Sequence, residues 1–140
     1  MKNSKTVRAR DVMSGKVVYV DGMATAKEAA ELMRQENTDA LIVSKRNEDD
    51  AYGIVVVQDL IRTVVLTDMD STEVNVFEMM TKPVIPVSAG MDIRYVVRML
   101  MRAGMRRAPV KEYGDVEGIA YVKRLMLDRF LLSNRAETRS

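Results

Sequence analysis

The 140-residue sequence contains no cysteine and no histidine. The two absences exclude disulfide bonds and the thiolate and imidazole ligands of most zinc sites. They also exclude a serine or cysteine nucleophile that is activated by a histidine base. The sequence has no glycine-rich loop of the P-loop type and no cluster of metal ligands either. We therefore expect a protein that is not an enzyme and binds no metal.

Long apolar runs and a strong charge of one sign are also missing. No apolar run approaches the roughly 18 residues of a transmembrane helix, and the polar N-terminus lacks the apolar core of a signal peptide. The 22 basic and 20 acidic residues leave a net charge of +2, which gives no general attraction to nucleic acid or anionic membranes. The sequence therefore predicts a cytoplasmic, soluble protein that binds neither.

One sequence pattern occurs twice. Residues 10–14 align with residues 77–81, and residues 17–20 align with residues 84–87 at the same offset. A unit of about 60–65 residues buries too little surface to be more than marginally stable alone. We therefore expect two pseudo-symmetric repeats that share a core and form ligand-binding clefts between them. The expected boundaries are residues 7–67, residues 74–132 and a polar C-terminal tail over residues 133–140.

Each repeat is predicted to fold in the order β-α-β-β-α. Short β-branched runs predict the strands, and apolar residues at helical spacing predict the helices. The predicted strands cover residues 17–20, 40–44, 52–57, 84–87, 108–110 and 117–122. The predicted helices cover residues 25–36, 60–66, 93–103 and 123–132. Pro109 lies within a predicted strand and suggests an edge position or a strand start, because proline donates no backbone hydrogen bond.

Helix ends are marked by characteristic residues. Thr25 and Glu28 have the spacing of a capping box. Asp59 and Asp92 are expected as the N-caps of two further helices, and Gly104 is expected at the C-terminal end of the helix that follows Asp92.

Three motifs give the repeats a family resemblance. Asp-Val-Met-Ser at residues 11–14 and Glu-Met-Met-Thr at residues 78–81 begin the repeats. Residues 105–110 lead into the middle strand of the second repeat, and residues 53–59 run from a strand into a helix. Each repeat resembles a CBS (cystathionine-beta-synthase) domain, and the pair is similar to the tandem CBS or Bateman module. The resemblance implies an α/β (α+β) fold in which two β-α-β-β-α repeats pack as a CBS pair.

The resemblance also implies a regulatory function. Such modules commonly bind adenine nucleotides or S-adenosylmethionine between the repeats, and two modules commonly pack as a homodimer. The expected ligand is therefore an adenosine-type small molecule (AMP, ADP, ATP or S-adenosylmethionine) that acts as a regulatory ligand, with no cofactor in the usual sense. Because we expect a stand-alone module, its output would pass through an unknown effector protein.

The family's ribose-binding motif is a glycine, two apolar residues, a serine or threonine, two variable residues and an aspartate. The first repeat keeps Gly53 and Asp59 at this spacing but has Val56 at the hydroxyl position. A carboxylate at this turn can accept hydrogen bonds from both ribose hydroxyls. Asp59 can equally be a plain helix cap, and the two roles can coexist.

The second repeat offers positive charge at the corresponding positions. It keeps Gly118, but Tyr121 and Arg124 replace the hydroxyl and the carboxylate. Arg106 and Arg107 precede the middle strand, where family members often bind phosphate, and the forked guanidinium suits phosphate oxygens. The alternative interpretation of this arginine pair is a solvated loop.

The crossed arrangement of the family would place these residues in two unequal clefts. The first cleft would combine Asp59 and the Gly53 motif with Thr81, Val84 and Ile85. The second would combine Ser14, Val17 and Val18 with Arg106, Arg107, Tyr121 and Arg124. The first cleft would have a ribose acceptor without a phosphate donor, and the second cleft would have the reverse.

A second basic feature and a second function remain open. Arg94, Arg98, Arg102 and Arg106 are spaced four apart, which favours a solvated helix face or, alternatively, a surface for an anion or an acidic partner. Nucleic acid is disfavoured because Tyr95 is the one aromatic residue among them. The alternative function is a ligand-free dimeric scaffold with degenerate nucleotide sites, which the substitutions in both ribose motifs favour.

Overall fold

A computed structural model describes residues 6–130, with side chains described as far as Leu127. The chain forms two compact units. The continuous unit is Val18–Val84, and the split unit combines the residues up to Val17 with those from Ile85 onwards. The predicted tail over residues 133–140 and the end of the predicted helix 123–132 lie outside the described residues.

Six short strands and five helices occur among the described residues. The strands are β1 (Tyr19–Val20), β2 (Ala40–Val43), β3 (Gly53–Val56), β4 (Val87–Ser88), β5 (Arg107–Glu112) and β6 (Asp115–Tyr121). The helices are α1 (Ala9–Val12), α2 (Ala26–Glu36), α3 (Val57–Leu60), α4 (Ile93–Arg102) and α5 (Val122–Arg124). Segments of π-helix extend α3 over Ile61–Val65 and α5 over Leu125–Phe130, and Val76–Glu78 forms a 3₁₀ turn.

The continuous unit contains a three-stranded sheet in the order β1-β2-β3. Strand β1 is parallel to β2, and β3 is antiparallel to it. Alternate strand residues project to one face, where they pack against α2. The core includes Val20, Leu41, Val43 and Val55 from the strands and Ala26, Ala29 and Met33 from the helix.

The split unit repeats this arrangement with the order β4-β5-β6. Its core joins strand residues to one face of α4 and includes Val87, Ala108, Val110, Ala120, Ile93, Val96 and Leu100. Tyr113 and Gly114, both with positive φ (54° and 91°), connect β5 to β6 in a tight turn. The predicted mixed α/β fold is confirmed.

Most of the predicted helix ends are confirmed. The Thr25 hydroxyl accepts a hydrogen bond from the Glu28 amide at 3.1 Å, and the Glu28 carboxylate accepts one from the Thr25 amide at 2.9 Å. The Asp92 carboxylate caps α4 by accepting from the Arg94 amide at 2.9 Å. Gly104, at φ 70°, follows the last turn of α4.

The prediction that Asp59 is a helix N-cap was wrong. Strand β3 runs directly into α3, so Val56 is the N-cap residue and Asp59 occupies the third helical position. The Asp59 carboxylate accepts a hydrogen bond from the Val56 amide at 2.8 Å. The helix starts early because the Val57 amide donates to the Asp39 carbonyl at 3.0 Å. Asp59 therefore caps α3 from inside its first turn.

Two strand predictions also need correction. Pro109 was expected at an edge or a strand start, but it lies inside the central strand β5. It is tolerated because β4 begins to pair only at Val110, so no hydrogen bond to β4 is lost at Pro109. The strands predicted over residues 17–20 and 84–87 shrink to the two-residue strands β1 and β4.

Candidate functional site

In the continuous unit, the start of the second repeat lies along β3 of the first. Thr81 and Ile54 exchange two backbone hydrogen bonds, each of 2.9 Å, and the Val84 amide donates to the Tyr52 carbonyl at 2.9 Å. Residues 81–84 therefore run beside the strand that leads to Asp59. The crossed arrangement that the family resemblance implied occurs within this unit.

The split unit contains the equivalent crossing. Ser14 and Ile119 exchange two backbone hydrogen bonds of 2.9 Å each, so the start of the first repeat lies along β6. Ser14 is partly buried there, on the strand that leads to Tyr121 and α5.

A glycine makes each crossing possible. A β-carbon at Gly53 would lie 2.9 Å from the Met80 sulfur and 3.2 Å from the Thr81 carbonyl oxygen. A β-carbon at Gly118 would overlap the Ser14 carbonyl oxygen. The sequence identified both glycines as members of the ribose motif, but it could not show that their role here is to admit another backbone segment.

Asp59 is the buried carboxylate of the continuous unit. The residue is 6% exposed, and one of its side-chain oxygens accepts from the Val56 amide. Its other oxygen accepts from the Arg62 guanidinium at 2.6 Å, and the Arg62 side chain is 60% exposed. Each carboxylate oxygen has a second lone pair, so Asp59 can still accept hydrogen bonds from a ligand.

Arg62 is the residue of this site that the sequence reasoning missed. The signal was available, because Arg62 follows Asp59 by one helical turn and oppositely charged residues at that spacing can pair. Its guanidinium places a positive charge beside the buried carboxylate of Asp59.

Hydrogen bonds between charged side chains connect residues 81–84 to the β2–β3 loop. The Asp50 carboxylate accepts hydrogen bonds from the Lys82 ammonium at 2.8 Å and from the Arg46 guanidinium at 3.1 Å. These donors, Lys82 first, hold the pKa of Asp50 well below its usual range. The ionised pair therefore helps to position the segment that crosses β3.

All but one of the residues predicted to form a site around Asp59 lie in the same unit. We define the Asp59 site as Gly53, Val56, Asp59, Thr81 and Val84, all of which belong to the continuous unit. Val84 is buried, Val56 is partly buried and Thr81 is exposed. Ile85, which the prediction also included, belongs to the split unit and is 65% exposed.

The second predicted group lies in the split unit, again except for one residue. We define the arginine site as Ser14, Val17, Arg106, Arg107, Tyr121 and Arg124. Arg107 pairs with Tyr121 across β5 and β6 and places its guanidinium 5.6 Å from the ring centre. Val18, the remaining predicted member, belongs to the continuous unit.

The arginine site is basic and lies where β5 begins and β6 ends. The Arg106 carbonyl accepts from the Val122 amide at 2.9 Å, which joins the start of β5 to the start of α5. The Arg106 and Arg124 side chains are exposed, and Arg107 is partly buried. This combination of charge and planar side chains suits anionic oxygen atoms.

Two further observations concern metal sites and membrane-spanning helices. Within residues 6–130, no group of three or more acidic, histidine or cysteine side chains is arranged to hold a metal ion. In the same part of the chain, every helix is too short or too polar to cross a membrane.

The family follows from a comparison of the whole chain. The sequence model of the CBS domain matches twice, over residues 9–66 and 76–127. The chain therefore belongs to the CBS domain family and contains two CBS domains in tandem.

Similar proteins include two of known crystal structure and one known from its sequence. The crystal structure of a hexameric CBS-CP12 protein from bloom-forming cyanobacteria is 29% identical, with a TM-score of 0.85 over 96% of this chain and 79% of that one. The CBS domain pair of protein MJ0100, in complex with 5′-methylthioadenosine and S-adenosyl-L-methionine, is 19% identical with a TM-score of 0.72, covering 86% and 94% of the two chains. An uncharacterised protein of Methanopyrus kandleri is 29% identical over 121 residues, which are 86% of this chain and 59% of that protein. The chain thus spans about 59% of the length of this curated relative.

Proposed function

We propose that this CBS pair is a cytoplasmic regulatory module, and not an enzyme. It binds an adenosine-type ligand (AMP, ADP, ATP or S-adenosylmethionine) and signals to an effector protein. The observation that carries the proposal is the buried Asp59 carboxylate, which is fixed in the first turn of α3, directly after the strand β3 that the crossing segment lies along. The similar fold of the MJ0100 pair, which was crystallised with two adenosine compounds, supports this ligand class.

The Asp59 site is suited to a nucleoside that carries little negative charge. Ribose hydroxyls would donate to the remaining lone pairs of Asp59, and the apolar side chains of Val56 and Val84 would face the less polar parts of the ligand. A net-neutral or cationic group, such as the sulfonium of S-adenosylmethionine, is compatible with the aspartate. Arg62 would balance the carboxylate and does not prevent hydroxyl binding.

The arginine site is suited to the opposite kind of ligand. Arg106, Arg107 and Arg124 would bind phosphate groups, and Ser14 would contribute a small polar contact. Its ribose position has Arg124 in place of a carboxylate, so the diol of a nucleoside finds no strong acceptor there. Phosphate-rich ligands such as ATP are therefore expected at this site.

A thermal-shift screen tests whether the chain binds any such ligand. AMP, ADP, ATP, S-adenosylmethionine and cyclic dinucleotides are each added to the purified protein. A ligand at about one hundred times its dissociation constant should stabilise the folded state by about 2.7 kcal/mol. If no compound raises the melting temperature, the ligand-binding proposal is wrong.

A ligand-free dimeric scaffold is the second candidate function. It is favoured by the hydrogen bonds that both Asp59 oxygens already make, to the Val56 amide and to Arg62. The contact between Arg107 and the Tyr121 ring similarly occupies part of the arginine site. A negative ligand screen together with a stable dimer would support this candidate.

We expect a homodimer in solution. The π-helical extension of α3 and the turn after it expose large apolar side chains: Ile61 45%, Val65 68%, Leu66 73% and Met69 45%. An exposed apolar surface of this kind is typical of an interface. Light scattering should give twice the 15.8 kDa chain mass, and Leu66→Glu should shift the protein toward the monomer. A wild-type monomer at micromolar concentration would contradict this expectation.

A further inference from the structure

Asp59 and Arg62 place a negative and a positive charge side by side in the continuous unit. The Arg62 guanidinium donates to one Asp59 carboxylate oxygen at 2.6 Å. The carboxylate is buried, whereas the Arg62 side chain is 60% exposed. The Asp59 site therefore combines a buried anion with a cation that a ligand can reach.

The Arg62 guanidinium has donors left for a ligand. A guanidinium carries five N–H donors, and within the described part of the chain Arg62 uses its side chain for one hydrogen bond, to Asp59. Its forked shape suits a carboxylate, to which it can donate two parallel hydrogen bonds. Arg62 can therefore bind an anionic group of a ligand while it stays paired with Asp59.

The other cation of this site is already engaged. The two segments that form the site, residues 53–62 and 81–84, contain one basic residue besides Arg62, which is Lys82. The Lys82 ammonium binds the Asp50 carboxylate at 2.8 Å, and its side chain is only 21% exposed. The recognition of a ligand anion at this site therefore falls to Arg62.

The second repeat lacks this pair of opposite charges. At the offset of 65 residues that relates Gly53 to Gly118, Arg124 and Leu127 occupy the positions of Asp59 and Arg62. A ligand that needs an anion and a cation side by side would therefore discriminate between the two sites.

The charges of the pair also discriminate between anionic ligands. A polyphosphate would meet a single cation and, directly beside it, a carboxylate that repels it. A zwitterionic amino-acid group brings one carboxylate for Arg62 and one positive charge, which the buried aspartate attracts. The pair thus complements an amino-acid group better than a chain of phosphates.

We infer that Arg62 selects an adenosine derivative that carries an amino-acid group. The ribose hydroxyls donate to Asp59, and the ligand carboxylate, which a flexible chain connects to the ribose, accepts hydrogen bonds from the Arg62 guanidinium. The inference rests on the proposed function and deepens it, because it distinguishes S-adenosylmethionine from AMP, ADP and ATP at the Asp59 site. Arg62 is thus a specificity-determining residue.

The test compares S-adenosylhomocysteine with 5′-methylthioadenosine, two uncharged thioethers of adenosine of which only the first carries an amino-acid group. Calorimetric titration measures both. Arg62→Met should weaken S-adenosylhomocysteine at least about tenfold, because charge-assisted hydrogen bonds are lost, and should change 5′-methylthioadenosine by less than about threefold. Arg34→Met, which changes an exposed arginine on α2, is the matched control and should leave both affinities unchanged.

A second variant separates recognition from folding. Arg62→Lys keeps the positive charge but loses the forked geometry, so its preference for S-adenosylhomocysteine should lie between those of the wild type and Arg62→Met. A general disturbance of Asp59 would instead weaken both compounds, because both would use the same ribose acceptor.

Three outcomes would overturn the inference. The first is equal weakening of both compounds by Arg62→Met, and the second is a wild type that binds both equally well. The third is tighter binding of AMP than of S-adenosylhomocysteine in Arg107→Ala, where the arginine site is impaired. If the wild type binds neither compound nor any other adenosine derivative, the proposed function itself fails and the inference fails with it.

Discussion

Replacing Gly118 with alanine is expected to lower the free energy of unfolding by about 1–3 kcal/mol. The new β-carbon would overlap the Ser14 carbonyl oxygen and lie 2.7 Å from the Met13 sulfur. The methionine side chain can move, but the Ser14 carbonyl accepts a hydrogen bond from the Ile119 amide at 2.9 Å. The substitution should therefore push the start of the first repeat away from β6.

Two other glycines calibrate this effect. A β-carbon at Gly15 would meet no atom within 4 Å, so Gly15→Ala should change the free energy of unfolding by no more than about 1 kcal/mol. Gly53→Ala should be intermediate, because the nearest atom is the movable Met80 sulfur at 2.9 Å. Equilibrium urea denaturation measures all three variants. If Gly118→Ala is as stable as Gly15→Ala, the close approach described here is wrong.

Local features could be predicted because their signals are close together in the sequence. The capping box of Thr25 and Glu28 and the helix end at Gly104 each depend on a few neighbouring residues. The tandem CBS fold was predictable for a related reason, since each repeat carries its own short motifs.

Features that depend on distant partners could not be predicted. Helix α3 starts at Val57 because the Asp39 carbonyl accepts its amide hydrogen, and no pattern near Asp59 indicates this. Pro109 is accommodated in a central strand because β4 is only two residues long. In both cases the deciding group belongs to another element of the fold.

The features of the candidate site also divide into those that could be predicted from the sequence and those that could not. The sequence placed Gly53 and Asp59 in a ligand-binding motif, and the structure places Gly53 beside Thr81 of the second repeat. The sequence could not reveal why the motif needs a glycine at position 53, because the Thr81 carbonyl that approaches Gly53 comes from the distant second repeat. Arg62 was predictable from its spacing to Asp59 and was overlooked.

Replacing Asp59 with alanine is expected to weaken a nucleoside ligand of low negative charge at least about tenfold. The substitution removes up to two hydrogen bonds to a charged acceptor, each worth roughly 1.5–3 kcal/mol. A phosphate-rich ligand at the arginine site should be nearly unaffected. Arg107→Ala should have the reverse effect, because it removes a charged donor from the arginine site.

The Asp59→Asn variant separates binding from folding. The Asp59 carboxylate also accepts from the Val56 amide, so alanine would leave that amide without its partner and destabilise α3. An asparagine side chain can still accept from the Val56 amide but lacks the negative charge. A loss of ligand affinity in Asp59→Asn, with an unchanged unfolding transition, would show that the carboxylate itself binds the ligand.

Calorimetric titration of S-adenosylmethionine and ATP into the wild type, Asp59→Ala and Arg107→Ala tests the central claim most directly. The expected result is that Asp59→Ala loses affinity for S-adenosylmethionine and retains it for ATP, whereas Arg107→Ala does the opposite. Equal weakening of both ligands by either substitution would contradict the assignment of two separate sites. If the wild type binds neither ligand nor any other adenosine compound, the account of this CBS pair as a ligand sensor is wrong.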